Sequence, residues 1–380
     1  MQRILQVVNI MDRGGVETLL MNIYRQIDRN EVQFDFLTHP FNLDYEQEYE
    51  PEILARGGKV YKAPSFIKHP VQYQRFIQNL YKEHPEYNVI HGHNLDLAAT
   101  MYMREAKKNG RYLIAHSHNT KERGNVMRRS TLSLNHRLIR RYPDRFFACS
   151  KDAAVFAFGR RVAHSAKCRI IRNGVDIQQY RADQVSHEKM KQNMFPGVSG
   201  PLFGTVGRLA EQKNHVFLLN IFADIIRNEP TAFLVIIGEG PLRAILERKA
   251  RELNISSRIL FAGSVSNVAA YLKAFDVFLM PSLYEGLPLS AVEAQAAGLP
   301  TLLSSSIGKE TVCSDMVQFI GLDQAPSQWA QEALQAYRKN LGRRTSCFDQ
   351  VKLAGFDITQ ISKDLCDFYV AHICECVNHE

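Results

Sequence analysis

The chain of 380 residues contains one tryptophan, seven cysteines and no apolar run long enough to cross a bilayer. An odd number of cysteines without framework spacing speaks against a disulfide scaffold and predicts reduced thiols in the cytoplasm. Cys374 and Cys376 stand two apart near the end, but no second pair completes four metal ligands. The opening MQRILQVVNIMDRGG has only a short apolar stretch, ending at Asp12. It is too short for a membrane span and lacks a cleavage-site pattern, so it reads as a buried first strand of a soluble or peripheral protein. The G-x-G-x-x-G fingerprint of dinucleotide enzymes is missing, as is any finger or aromatic-basic signature of nucleic-acid binding.

What is present is an ordinary globular composition, 45% hydrophobic and 23% charged, on a chain too long for one core. Two domains of roughly 150–200 residues are expected. The net charge of +8 is unevenly spread. Residues 1–180 hold 28 Lys and Arg against 18 Asp and Glu, whereas residues 181–380 hold 19 against 21. The excess concentrates in residues 121–172, with 14 basic and 3 acidic side chains. There Arg128–Arg129 and Arg140–Arg141 flank Leu132, Leu134, Leu138 and Ile139. Two readings stay open. One is a solvated basic face over the domain's own core. The other is a surface for anionic lipid, each Lys or Arg adding about 1 kcal/mol of attraction.

Short apolar, β-branched runs alternate with amphipathic helical patterns from end to end. ILQVVNI, VQFDFLT, KVYKA, NVIHGH, RYLIAHS and RFFACS come first. A polar stretch at 177–200 follows, and the alternation restarts with LFGTVGRL, AFLVIIG, RILFAG, VFLMPS and TLLSSS. Strands alternating with helices imply parallel sheets joined by right-handed crossovers. The expected fold class is α/β, with Rossmann-like domains at 1–176 and 201–357, a linker at 177–200, and a cleft between the facing domains. In residues 358–380 the positions Ile358, Ile361, Leu365, Phe368, His372 and Cys376 make a helical stripe. A last helix is therefore expected to pack back towards the first domain.

Open parallel sheets bind ligands beyond the carboxyl ends of their strands, so the loops there hold the candidate site. DRGGVET sets Gly14 and Gly15 between a strand and a helix, where backbone N–H groups favour an anion. GRLAEQKN places Arg208 and Lys213 just after the first strand of the second domain. Fixed cations there suit a diphosphate whose charge grows as it leaves. PSLYEGLPLSAVEAQAAGLP sets Glu285 ahead of a helix and Glu293 inside it. Pro288 suits that helix's first turn, whose N–H groups and dipole make an anion site. Glu285 would then accept hydrogen bonds from a sugar's hydroxyls. Glu293, beside Ala291, Ala294 and Ala297, would accept them from the two hydroxyls of a ribose. The plain alternatives are a solvated loop charge for Glu285 and a structural partner of Arg or Lys for Glu293.

EGLPLSAVE, GRLAEQK, GEGP, NGVD and RGGVET together resemble the retaining glycosyltransferases of family 4, which have the two-domain GT-B fold, nearly end to end. AHSHNT and MPSLYEGLPLSAVEAQAAGLP are similar to the enzymes of bacterial exopolysaccharide and capsule assembly. The resemblance implies a nucleoside-diphosphate sugar as donor and a lipid-linked glycan as acceptor. It implies no cofactor and a place at the cytoplasmic side of the membrane, with an anionic membrane surface as a further partner. It assigns Glu285 to the donor sugar, Glu293 to the ribose, Arg208 and Lys213 to the diphosphate, and His118 to the sugar or its phosphate, with His116 as a rival register. Gly15, Gly207, Glu239, Val265, Gly286, Leu287, Pro288 and Leu289 complete the donor side. Gly14, His93, His116 and Asn119 make up the acceptor side.

Asp-x-Asp, the pair that often holds a divalent ion against a sugar diphosphate, occurs nowhere. The expected chemistry is therefore metal-independent. Similar enzymes lack a carboxylate nucleophile, which implies front-face attack with the leaving phosphate taking the acceptor proton. A second class stays in view because His91/His93 and His116/His118 each end a strand. Residues two apart share a face of a strand, so both pairs would line up around a metal, as in a metal-dependent hydrolase.

Overall fold

The computed structural model describes residues 1–12, 14–118 and 137–377, the last six of them through the backbone alone. The chain divides into two units, Met1–Gly174 with Ile358–Glu380, and Val175–Asp357.

The first unit runs β1 (Gln2–Val7), α1 (Gly15–Gln26), β2 (Val32–Thr38), α2 (Glu50–Ala55), β3 (Val60–Lys62), α3 (Pro70–Glu83), β4 (Val89–Gly92), α4 (Leu97–Lys108), β5 (Tyr112–Ser117), β6 (Arg145–Ala148), α5 (Lys151–Ala163) and β7 (Cys168–Ile170). Its strands form one parallel sheet in the order β3-β2-β1-β4-β5-β6-β7, so the order reverses between β1 and β4. Strands covered on both faces read as nearly continuous apolar runs, and all seven residues of β2 are buried. The charged exception inside that strand, beside polar Gln33 and Thr38, is Asp35, which is well supplied with donors. It accepts from Arg3 Nε and Nη2, each at 2.6 Å, from the Tyr87 hydroxyl at 2.8 Å and from the Lys59 amide at 2.6 Å. Helix starts are set by local chemistry: Asp96 caps α4 and Ser150 caps α5, each accepting from a first-turn amide.

The second unit runs α6 (Gln184–Met194), β8 (Leu202–Val206), α7 (His215–Asn228), β9 (Phe233–Ile237), α8 (Arg243–Glu252), β10 (Ile259–Gly263), α9 (Val268–Ala274), β11 (Val277–Met280), α10 (Leu289–Ala296), β12 (Thr301–Ser304), β13 (Val317–Ile320), α11 (Pro326–Asn340) and α12 (Phe348–Leu353). The parallel order is β10-β9-β8-β11-β12-β13, and it reverses between β8 and β11. The stretch 177–200, expected as a linker, is instead part of this unit. Ile177 and Tyr180 sit on a short 3₁₀ turn and are buried with Phe195 in the unit's core. A capping box between Asp183 and Ser186 then starts α6.

The last helix, α13 (Ile358–Val377), belongs to the first unit. Ile358, Leu365 and Tyr369 are buried with Leu19 of α1 and Phe34 of β2. Ile361 and Phe368 pack partly buried on the same cluster, while the side chains of His372 and Cys376 fall outside the description. Among the described residues no helix is long and apolar enough to cross a membrane.

Candidate active site

In open α/β sheets the binding crevice forms where the strand order reverses. In the second unit that point lies between β8 and β11, and the loops leaving these two strands carry the predicted residues. The loop after β8 begins at Gly207 and closes with a 3₁₀ turn, Glu211–Lys213. A Cβ on Gly207 would lie 2.8 Å from Lys213 Cε, so glycine is what lets the lysine fold across this backbone. Gly238, after β9, has φ +136°, and a Cβ there would meet the Gly207 carbonyl at 2.1 Å. Both glycines serve close approach of two loops.

Lys213 turns to the other loop, with Nζ 2.8 Å from Glu285 Oε1. The two side chains are only 17% and 8% exposed, so Glu285 is not a solvated loop charge. Its other oxygen, Oε2, accepts from Gln212 Nε2 at 3.1 Å. Arg208 is exposed beside this pair in sequence. Gly286 is exposed, Leu287 is half-buried and Pro288 is buried. Pro288 is the N-cap of α10 rather than a residue of its first turn, which begins at Leu289. The Ser290 hydroxyl donates to the Val206 carbonyl at 3.2 Å, tying the start of α10 to the end of β8.

Glu293 lies one turn further into α10. Its partner is neither Arg nor Lys but the phenol of Tyr180, from the stretch expected as a linker. Burial pushes the Glu293 carboxyl up to about 7, with the Tyr180 hydroxyl pulling the other way. Neighbouring Ala291, Ala294 and Ala297 are fully buried, as small side chains beneath a close-packed helix should be. Glu239 is joined to the loop after β8, its carbonyl accepting from the Leu209 amide at 2.9 Å, while its exposed side chain pairs with Arg243 at 2.9 Å; Val265 packs against the unit's core.

The first unit carries the histidines and the early glycines. Gly14 is the N-cap of α1 and Gly15 its first residue. The expected anion position is taken by the chain itself. A Cβ on Gly14 would lie 2.2 Å from Glu17 Oε2, and backbone N–H groups of Val16 and Glu17 bond that carboxylate, which burial nevertheless raises above its usual range.

His91, His93, His116 and His118 form one stacked cluster at the carboxyl ends of β4 and β5. Ring centroids lie 4.2 Å apart for His91–His93, 4.1 Å for His116–His118, 5.3 Å for His91–His116 and 5.2 Å for His93–His118. His93 uses both nitrogens, Nδ1 with His118 Nε2 and Nε2 with Gln6 Oε1, each at 2.9 Å. His91 Nδ1 meets the Tyr369 hydroxyl of α13 at 2.7 Å. Burial, then neighbouring histidines, holds His91, His93 and His116 well below the usual imidazole range, and burial brings His118 down to about 4. These rings are neutral near pH 7.

Nitrogens of His91, His93 and His116 come within 4.8 Å of one another, so the proximity a metal would need is present. Both nitrogens of His93 are already hydrogen-bonded, to His118 and to Gln6, and so are not free for an ion. The hydrolase alternative therefore finds no support in this cluster. Between the rivals, His116 is 2% exposed inside β5, while His118 is half-buried beyond the strand end. Asn119 lies outside the described residues, as do residues 121–136 of the basic stretch. Of its described part, Ile139 is buried in the first unit's core and Leu138 is exposed.

Gln212 and Tyr180, the partners of Glu285 and Glu293, were not picked out by sequence reasoning. Gln212 stood inside the GRLAEQKN motif, next to Lys213, which was its only signal.

The family description "Glycosyltransferase Family 4" matches residues 13–179, and "Glycosyl transferases group 1" matches residues 186–344. EpsF of Bacillus subtilis (strain 168), named as a glycosyltransferase, is 33% identical over 364 residues, which is 94% of each chain. The UDP-Gal:alpha-D-GlcNAc-diphosphoundecaprenol alpha-1,3-galactosyltransferase of Escherichia coli is 35% identical over 147 residues, 37% of this chain and 38% of its own. Among solved structures, HepE of Anabaena in complex with UDP aligns with a TM-score of 0.78 at 17% identity, covering 98% of this chain and 100% of that one. At that identity the structural likeness speaks for the fold alone. Neither comparison supports a hydrolase. With both halves matched by family descriptions and a relative one-third identical along nearly its whole length, the chain belongs to the family 4 glycosyltransferases and has their GT-B fold.

Proposed function

We propose that this glycosyltransferase is a retaining, metal-independent enzyme of exopolysaccharide, capsule or O-antigen assembly. It moves a hexose or N-acetylhexosamine from a nucleoside-diphosphate sugar to a glycan acceptor carried on lipid. The observation that carries this reading is the pairing of Lys213 with Glu285 at the strand-order reversal of the second unit. A cation and a carboxylate on adjoining loops match the two ends of a sugar phosphate. Lys213 and Arg208 bind the diphosphate with the start of α10, and fixed charge there is worth most as the leaving group's charge develops. Glu285 accepts hydrogen bonds from the sugar hydroxyls, and Glu293 from the ribose.

In the transfer step the bond between C1 and the phosphate oxygen breaks. The acceptor oxygen bonds C1 on the same face, and its proton passes to the leaving phosphate oxygen. His118 donates to the sugar or its phosphate, and His93 and His116 belong to the acceptor side. The acceptor class is supported by the galactosyltransferase relative, whose name specifies a diphosphoundecaprenol-linked sugar. The donor class is supported by HepE, which was solved with UDP. The basic stretch 121–172 supplies charge for an anionic membrane at the cytoplasmic face, which co-sedimentation with anionic and neutral vesicles tests.

The functional test is a panel of uridine- and guanosine-diphosphate sugars, read by thermal stabilisation and by release of the nucleoside diphosphate. One sugar nucleotide is expected to stabilise the protein and to be turned over. Proton NMR of the product should show the anomeric configuration of the donor. Inversion would remove the retaining mechanism, and no stabilisation by any member would remove the donor class.

A further inference from the structure

Gln212 is joined to the loop after β11 at three successive residues. Its carbonyl accepts from the Leu283 amide at 2.8 Å. Its side-chain Nε2 donates to the Tyr284 carbonyl at 3.0 Å and to Glu285 Oε2 at 3.1 Å. Both side-chain partners are pure acceptors, so the amide nitrogen, not its oxygen, must face them, and both N–H bonds are in use. The next residue, Lys213, takes the other oxygen of the same carboxylate. Asn214, in the left-handed region with φ 54°, ends the turn that aims two consecutive side chains at one target.

The two contacts differ in what a donor would do to them. Lys213 is a point charge, and a diphosphate with about two negative charges competes for it against a single carboxylate. The Gln212 amide is neutral and has no such competitor. We propose that Gln212 is the positioning residue for Glu285: it keeps Oε2 while the incoming diphosphate draws Lys213 off Oε1, leaving Oε1 aimed at a hydroxyl of the transferred sugar. This rests on the donor site proposed above. Without the amide, the carboxylate freed by the donor would swing between rotamers at the moment it is needed.

The test compares Gln212→Leu, Glu285→Gln and the double variant using the sugar nucleotide selected by the panel. Gln212→Leu removes the amide with a side chain one bond shorter and leaves the Leu283 backbone bond intact, so the loop stays closed. For a positioning role, kcat falls about tenfold to a hundredfold, the range of one hydrogen bond to a charged group. Binding of UDP or GDP alone, read by calorimetry, stays within twofold, because neither carries the sugar that Glu285 touches. The double variant should be no slower than Glu285→Gln, since the amide acts only through that carboxylate. Unchanged kcat in Gln212→Leu overturns the inference. So does a joint fall of kcat, nucleotide affinity and melting temperature, which would make Gln212 a staple of the fold. Full turnover in Glu285→Gln instead sinks the site reading itself, so the two failures are told apart.

Discussion

Lys213 Nζ and Glu285 Oε1 lie 2.8 Å apart, and each is mostly shielded from water by the two loops that carry them. Breaking one side of such a pair leaves the other charge without compensation, so the two single variants are not equivalent. Glu285→Gln keeps shape and hydrogen-bonding reach but loses the charge. It should lower kcat by on the order of a hundredfold or more, provided the carboxylate bonds the sugar more strongly in the transition state. Lys213→Met should raise the donor KM and lower kcat together, because the diphosphate is bound in both states. Steady-state kinetics on the two variants checks both expectations, and wild-type turnover in either would remove that residue from the site.

Glu293 gives a pH-dependent prediction. In the folded chain burial raises its carboxyl to about 7, while the unfolded chain titrates near 4.5. The folded state therefore holds a proton that the unfolded state has lost between those values. The stability this group contributes is complete below pH 4.5 and is lost as pH rises through 7. Glu293→Gln removes the titration. It should leave stability unchanged at pH 4.5 and add on the order of 2 kcal/mol at pH 8. Its donor KM should rise, since an amide accepts poorly from two ribose hydroxyls. Denaturant unfolding at the two pH values reads the first effect, and a variant less stable at pH 8 would contradict it.

The alternation of strands and helices was legible because both faces of each sheet are covered, so strands such as VFLM are wholly apolar. The loops that matter were legible for a related reason: glycine, proline and charge have no place in those strands and collect at their ends. Glu285, Lys213 and Glu293 were proposed that way, and the structure pairs Lys213 with Glu285. Tyr180 was not, because its surroundings are polar and only His187 of the following α6 is buried. The spacing of Asp183 and Ser186 was a helix-start signal in that stretch, and it would have argued against a linker. Gln212 was invisible because glutamine carries no charge and its partners come from a distant part of the chain. Glu17 shows the opposite limit. Two glycines at a helix start suggest a place for an anion, but the chain's own carboxylate three residues on fills it. The histidine spacing predicted proximity correctly, but the bonds that occupy His93 come from elsewhere in the sheet and leave no trace in a spacing.

Activity in excess EDTA is the next expectation. In the proposed site, Arg208, Lys213 and the start of α10 supply the positive charge that a leaving diphosphate needs. Turnover of the panel's sugar nucleotide should be unchanged by EDTA and not raised by added magnesium or manganese. Loss of activity on chelation, restored by one of these ions, would overturn the metal-independent reading.

The histidine cluster predicts how the protein fails in acid. His91, His93 and His116 sit well below the usual imidazole range and His118 at about 4, against 6.5 in an unfolded chain. Below pH 6.5 the unfolded state binds protons that the folded state refuses, so stability is full above 6.5 and falls as pH drops. Because all four rings shift in the same direction, the loss steepens as pH falls. His116 is the ring to remove. Among the described residues neither of its buried nitrogens has a hydrogen-bond partner, and its ring lies between those of His91 and His118. His116→Phe keeps an aromatic ring of similar size in the stack and deletes one of the four titrations along with two unsatisfied polar atoms. The variant should therefore melt at the same temperature or higher at pH 7. Its acid-unfolding midpoint, followed by circular dichroism, should move down by several tenths of a pH unit. Because His118 rather than His116 reaches the strand end, turnover should fall further in His118→Phe than in His116→Phe, whose loss belongs to the acceptor side. A variant that unfolds at higher pH than the wild type would mean that the His116 nitrogens make a contact the fold depends on.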